Sequence, residues 1–147
     1  MDAFVQPLYE LADFDAIIRQ LKKPGIVQVS GCLDSQKAHF TNGLLREFPF
    51  RLIVAENDLK AKAFYEDFRL YDPEVLYYPA RDLIFYQADI HGNLLTRQRI
   101  QVLRALLERE EVTIVTSIDS CLDCLVPLAV WKEKVIKIRN DSRSEER

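Results

Sequence analysis

Short runs of apolar residues recur along the chain and predict the strands of a parallel sheet. The runs lie at residues 26–29, 52–54, 75–78 and 112–115, and a fifth lies at residues 134–138. The first four are almost continuously apolar rather than alternating, as is typical of strands that are buried on both faces of a parallel sheet. We therefore expect an interior sheet that helices cover on each side.

Between these runs, apolar residues recur at intervals of three and four, which is the pattern of helices that bury one face. Ser35 is a suitable N-cap for the second of these segments, and Asn57 and Ser117 begin two later ones. The alternation of strand and helix favours a three-layer, doubly wound α/β fold with a mostly parallel sheet and helices on both faces. The predicted helices span residues 11–21, 35–47, 57–72 and 94–109, with a shorter one after Ser117.

The loop after the first apolar run has the position of a phosphate-binding loop between a strand and a helix. Such a loop reads G-x-x-x-x-G-K-[ST]: its backbone N–H groups cradle phosphates, its lysine contacts the β- and γ-phosphates, and its hydroxyl binds Mg²⁺. Gly31 and Lys37 keep their places in that pattern, but Gln36 replaces the second glycine and Ala38 replaces the hydroxyl residue. The Cβ of Gln36 crowds a position that favours glycine, and Ala38 cannot bind a metal. The sequence predicts a P-loop NTPase-like scaffold with a degenerate Walker A loop and no nucleotide hydrolysis.

The composition is that of one globular domain with an acidic balance. The chain has 147 residues, 48% of them hydrophobic, with a formal net charge of -3 and a pI near 5.4. We assign residues 1–138 to the domain and residues 139–147, which contain no apolar side chain, to a polar tail or the start of a connection. The net charge argues against a stand-alone module for duplex DNA, because such modules carry a basic face. With no apolar run of about 18 residues and no basic leader, we expect a cytoplasmic protein without membrane contact.

Three cysteines do not suit a secreted disulfide framework, because their number is odd. Cys121 and Cys124 form a CxxC pair, but no second pair and no histidines at ligand spacing accompany it. We expect no metal site and place the CxxC pair on a buried helix face.

A long connection between the third and fourth apolar runs carries further polar candidates. Residues 79–93 include Arg81 and Asp82, and the helix that follows carries Arg97 and Arg99. Long ordered loops are often functional. We take these four charged side chains as the candidate interaction surface, with pairing to nearby acids or simple solvation as the alternative for the two helical arginines.

Several stretches in the same order and spacing resemble the first domain of the bacterial transcription-repair coupling factor (Mfd) family, itself similar to the nucleotide-binding domain 1a of the excision-repair protein UvrB. The likeness runs from about residue 5 to residue 138. It rests on residues 27–31, 52–61, 78–82, 85–93, the Arg97-x-Arg99 helix and residues 112–117.

The resemblance implies a domain without catalysis and without a cofactor of its own. In that family the first domain is a degenerate copy of the UvrB domain, and a module that begins with it recruits UvrA to a stalled RNA polymerase. The ATP- and Mg²⁺-dependent motor, which is a DNA translocase, and the contacts with RNA polymerase and DNA belong to other parts of the parent protein. The small subdomain that contacts UvrA is inserted after the last strand, so we expect the UvrA-binding residues to lie beyond residue 147.

Two other classes of function remain open from the residues alone. Lys37 and the helix N-terminus beside it could retain a weak anion or nucleotide site, although Asp34 places negative charge there. An independent small enzyme could use His91, Asp89 and Arg81 of the long connection, but sequence spacing cannot demonstrate the geometry that such a site needs.

Overall fold

The computed structural model describes residues 3–80, 89–123, 125, 127, 130 and 131. A 3-10 helix at Gln6–Glu10 is followed by α1 (Phe14–Leu21), α2 (Asp34–Leu45), β1 (Phe50–Ala55), α3 (Asp58–Phe68), β2 (Leu76–Tyr78), α4 (Asp89–Glu108), β3 (Val112–Ser117) and α5 (Ile118–Cys121). None of the helices in these ranges has the length and apolar character needed to cross a bilayer.

The described sheet has three parallel strands in the order β1-β3-β2, which confirms an α/β fold with a parallel sheet. Helix α3 connects β1 to β2, and helix α4 returns the chain to the central strand β3. All six residues of β3 are buried, because neighbouring strands flank it and helices lie above and below it. The near-continuous apolar runs at 52–54, 75–78 and 112–115 correctly predicted these strands, but the expected burial on both faces is wrong for β1, because α4 does not cover it and Leu52 and Val54 are exposed.

Helices cover both faces of the sheet. On one face, Val102 and Ala105 of α4 pack against Leu76, Val112 and Ile114. On the other face, a second cluster joins α2 and α3 to the sheet, and it contains Ala38, Ala61, Phe68, Val75 and Val115. Alternate residues of each strand therefore contribute to different cores, as the pleat of a strand requires.

The prediction of a strand at residues 26–29 is wrong. The segment has no regular secondary structure, and Ile26 is 99% exposed. Residues 26–29 pair neither with β3, which β1 and β2 flank, nor with the outer edge of β1 or β2. Val27 and Val29 instead lie next to α1 and α2. The loop with Gly31 consequently does not follow a sheet strand in the described structure.

Several helices begin at residues other than the predicted ones. Helix α2 begins at Asp34 with Leu33 at the N-cap, so Ser35 lies inside the helix and is not the cap that we predicted. Helix α4 begins at Asp89, five residues before the predicted start, and α5 is a single turn. The predicted caps Asn57 and Ser117 are confirmed, since each side chain accepts a hydrogen bond from the backbone N–H three residues on. The predicted strand 134–138 and the tail 139–147 lie outside the described residues.

The N-terminal segment packs on α2 through a separate apolar cluster. Val5, Leu8, Phe14 and Ile18 are buried together, with Phe40 and Leu44 of α2 against them. Gly43 is where α2 comes closest to this segment: a Cβ built there would lie 2.4 Å from Cδ1 of Leu8 and 3.0 Å from Cζ of Phe14. Absence of a side chain at this position lets the two parts meet.

Candidate functional site

The loop before α2 keeps one feature of a phosphate-binding loop. Gly31 has a φ of 89°, in the left-handed region that residues with a Cβ avoid, so a glycine is required here. Leu33 is extended, with φ -70° and ψ 153°, and the helix begins at the next residue. The turn into α2 therefore resembles the turn of a P-loop only at its first position.

Gln36 serves the helix rather than a ligand. Its Oε1 accepts a hydrogen bond from the backbone N–H of Leu33 at 3.3 Å, and its own N–H donates to the Leu33 carbonyl at 2.9 Å. A helix N-terminus attracts anions because its first N–H groups lack partners within the helix. Here the side chain of Gln36, which replaces the second P-loop glycine, accepts a hydrogen bond from the Leu33 N–H beside the start of α2.

Lys37 is paired with the carboxylate one turn before it. Its Nζ lies 2.6 Å from Oδ1 of Asp34, and both side chains are more than half exposed. The hydrogen bond and the charge of Lys37 lower the pKa of Asp34, and Asp34 raises the pKa of Lys37 in return. An arriving phosphate would have to compete with Asp34 for the ammonium group.

Ala38 points into the core. It is 1% exposed and packs with Ala61, Phe68 and Val115 between α2, α3 and the sheet. In a P-loop the residue at this position directs a hydroxyl to Mg²⁺. The side chain at position 38 faces apolar neighbours in this chain, so a serine or threonine placed there would bury its hydroxyl group.

A pocket of about 550 Å³ lies between α1, α2 and the segment before α2. Lys37, Cys32 and Thr41 provide its polar groups. The remaining lining is mostly aliphatic or aromatic, including Ile17, Leu21, Val27, Val29, Phe40 and Leu44. Such a lining lacks the set of converging N–H donors and cations that a polyphosphate needs.

Arg99 is a buried structural residue, which removes it from the candidate interaction surface. Its Nη1 donates to the Pro79 carbonyl at 2.8 Å, and its Nη2 lies 2.9 Å from Oδ2 of Asp123 as an ion pair. The guanidinium also lies over the Tyr78 ring, 4.2 Å from the ring centre. Arg99 thus ties α4 to the end of β2 and to the chain after α5, which agrees with the alternative of pairing with a nearby acid.

The cluster of Arg99 with Tyr78, Pro79 and Asp123 was not predicted from the sequence, although the sequence contains a signal for it. Arg99 lies three and four residues before Val102 and Leu103, which are buried. An arginine on the apolar stripe of a helix needs a partner, because an unpaired buried charge is costly. Nothing in the local sequence, however, identified Asp123 as that partner.

Of the other three residues of the candidate interaction surface, only Arg97 is described. Arg97 is exposed on α4, two residues from the buried Arg99. Arg81 and Asp82 lie outside the described residues, and of Asp89 and His91 only the helical backbone is described. The described residues therefore provide no side-chain geometry with which to assess the independent-enzyme hypothesis.

Two of the three cysteines lie among the described residues. Cys121 is exposed at the end of α5, which contradicts the expected burial, and Cys32 is partly exposed; both are free thiols. Cys124 is not among the described residues. Within the described part of the chain, no three His, Cys, Asp or Glu side chains are grouped so as to hold a metal ion.

Comparisons with family models, with curated proteins and with solved structures found no match to this chain.

Proposed function

We propose that this chain is a non-catalytic α/β domain that acts in the cytoplasm as the scaffold of a UvrB-like module, the part of a transcription-repair coupling factor that recruits UvrA. In this proposal the full-length parent hydrolyses ATP through a motor elsewhere and contacts RNA polymerase and DNA through other parts. The chain itself holds no cofactor and supplies the fold on which the adjacent UvrA-binding subdomain is mounted.

One observation supports the non-catalytic part of this proposal most strongly: each side chain at the degenerate loop already has another role. Gln36 bonds to the backbone of Leu33, Lys37 pairs with Asp34, and Ala38 packs in the core. A P-loop needs these three positions free for close approach, for phosphate and for Mg²⁺. The loop lacks the means to bind Mg²⁺ and nucleotide together.

Isothermal titration calorimetry with ATP and Mg²⁺ tests this part directly. We expect no binding heat up to millimolar nucleotide, and an intact P-loop ATPase under the same conditions serves as positive control. Dissociation constants in the micromolar range would overturn the proposal. A parallel titration with inorganic phosphate distinguishes residual anion capture at Lys37, which would be weak and abolished by Lys37→Ala.

Restoring the hydroxyl provides a variant test of the same site. Ala38→Ser would bury a hydroxyl among apolar side chains, so we expect a loss of about 1 to 3 kcal/mol in the free energy of unfolding and no gain of Mg²⁺-ATP binding. Ser35→Ala is the matched control: Ser35 is exposed and is not the N-cap, so its loss should change stability by less than about 0.5 kcal/mol.

Binding to purified UvrA tests the recruitment part separately. Surface plasmon resonance would compare this chain with the same chain joined to the small subdomain that follows the first domain in coupling factors. We expect weak or no binding by the chain alone and clear binding by the longer protein. Equal binding by both would place the interface on this chain, and no binding by either would contradict the recruitment role while leaving the nucleotide result unaffected.

A further inference from the structure

The pocket between α1, α2 and the segment before α2 has a polar end and an apolar end. Gly31, Cys32 and Lys37 line it near the start of α2, and Leu44 and Leu45 line it at the end of that helix. At about 1.5 Å of rise per residue, Lys37 and Leu45 are about 12 Å apart along the helix axis. Because both residues line the pocket, it follows α2 for about that length.

The path of the chain explains why the two ends differ. Leu21 is the last residue of α1, and Val27 lies early in the segment that leads from α1 to α2; both line the pocket. The Lys22 ammonium pairs with the Glu47 carboxylate at 2.5 Å, which places the end of α1 beside the end of α2. Leu21 and Val27 therefore belong to the apolar end, and the segment leads from there to the polar end.

The polar end carries one positive charge. Among the lining residues, all of which lie in the described part of the chain, Lys37 alone is charged. Its partner Asp34 has a side chain that is 93% exposed, and it does not line the pocket. Asp34 raises the pKa of Lys37, so the ammonium group stays charged at neutral pH. One ammonium group suits a single carboxylate, whereas a polyphosphate needs several converging donors.

We propose that this pocket binds a small aliphatic carboxylate, with the carboxylate group at Lys37 and the unbranched apolar body along α2 towards Leu44 and Leu45. The pocket volume of about 550 Å³ lies within the range of about 300 to 1,000 Å³ that is typical of small-molecule sites. Removal of apolar surface from water supplies most of the affinity, and the ammonium group sets the orientation. This inference goes beyond the proposed function and does not depend on it.

Calorimetric titration of the full chain with hexanoate, octanoate and decanoate tests the class of ligand. We expect saturable binding of decanoate at one site with a dissociation constant of roughly 0.1 to 1 mM. Each added methylene should tighten binding about two- to fourfold. Octylamine, which has the opposite charge, should bind at least about fivefold more weakly than octanoate. No saturable binding of decanoate below about 5 mM would overturn the proposal, and so would equal binding of octylamine and octanoate.

Two free thiols show where the ligand binds. Cys32 lines the pocket and is partly exposed, whereas Cys121 is exposed at the end of α5 and does not line it. With decanoate at about ten times its dissociation constant, alkylation of Cys32 by iodoacetamide should slow about tenfold, and alkylation of Cys121 should not change. Mass spectrometry of peptides measures the two rates separately. Equal slowing at both thiols, or no slowing at Cys32, would contradict binding in this pocket.

Substitutions test the two ends of the ligand. Val29→Trp fills the pocket from the segment before α2 and should weaken decanoate binding by at least about tenfold, whereas Ile26→Trp adds the same ring at a side chain that is 99% exposed and should leave it unchanged. Lys37→Gln should make octanoate and octylamine bind about equally. Circular dichroism confirms that each variant is folded. If folded Val29→Trp binds decanoate as the unaltered chain does, or if Lys37→Gln keeps the preference for octanoate, the assignment is wrong.

Discussion

At the scale of single residues, Arg99 is a buried charged side chain that makes several specific contacts. Its guanidinium contacts a carbonyl and an aromatic ring at the end of β2 and a carboxylate after α5, which are two separate parts of the chain. The planar guanidinium suits this role, since it offers several donors in fixed directions and stacks on aromatic faces. The cost of burying its charge is offset only while all three partners remain in place.

We expect Arg99→Met to lower the free energy of unfolding by about 3 kcal/mol, because it removes the ion pair with Asp123 and the hydrogen bond to the Pro79 carbonyl. This is the lower end for a broken buried pair, since Asp123 stays partly exposed. Urea denaturation followed by circular dichroism measures it. Arg97→Met, the same change at an exposed position two residues away, should cost less than about 0.5 kcal/mol. Similar losses at both positions would contradict the structural role.

Single residues also show what the sequence could and could not predict. The motif predicted a degenerate loop, because Gln36 adds a side chain where the motif has glycine and Ala38 lacks the hydroxyl group that binds Mg²⁺. The new contacts of these residues were not predictable from the motif. The burial of Arg99 depends on a partner 24 positions further along the chain, and pairing at such separations is decided by the fold.

At the scale of elements, α3 has the clearest start signal in the chain. Asn57 is extended and its Oδ1 accepts a hydrogen bond from the Lys60 N–H at 2.9 Å, while Asp58 adds negative charge to the first turn. Helix α3 packs on β1, β2 and β3, so its stability affects the whole sheet.

Removing the cap by Asn57→Ala should cost about 1 kcal/mol of unfolding free energy, because the Lys60 N–H loses its acceptor. Asn57→Asp retains an acceptor oxygen at the same position and should remain within a few tenths of a kcal/mol of the unaltered chain. Thermal or urea unfolding of the three proteins provides the comparison. A loss with Asn57→Asp as large as that with Asn57→Ala would show that the side-chain amide has another role.

The sequence predicted the three strands of the described sheet correctly, and it predicted a fourth strand, at residues 26–29, wrongly. The runs at 52–54 and 112–115 became strands that pair with each other, and α3 packs on both. The run at 26–29 has similar residues, but it lies next to α1 and α2 and joins no strand of the described sheet. The pattern of apolar residues shows that a segment is buried or half-buried, but it does not show which segments pair as neighbouring strands in the sheet.

At the scale of the whole molecule, α2 links the N-terminal segment to the sheet. One side of α2 packs on the sheet cluster through Ala38, and the other packs on Leu8 and Phe14 around Gly43. Helix α2 therefore lies between two cores. Its glycine is a weak helix former in the middle of a helix, so its benefit must come from the close approach it allows.

We expect Gly43→Ala to destabilise the protein by about 1 kcal/mol, although alanine favours the helix by a similar amount. The new Cβ would lie 2.4 Å from Cδ1 of Leu8, and overpacking of this kind costs about 1 to 3 kcal/mol. Because Leu8 Cδ1 is the end of a side chain, Leu8→Val should relieve the clash. In the Leu8→Val background the approach to Phe14 Cζ, at 3.0 Å, still offsets the gain in helix propensity, so Gly43→Ala should be close to neutral. The coupling energy between positions 8 and 43 is then about 1 kcal/mol. Urea denaturation of the four proteins closes this cycle. If the two changes are additive, Leu8 does not limit the approach of α2, and the N-terminal segment is held by the other contacts of its cluster.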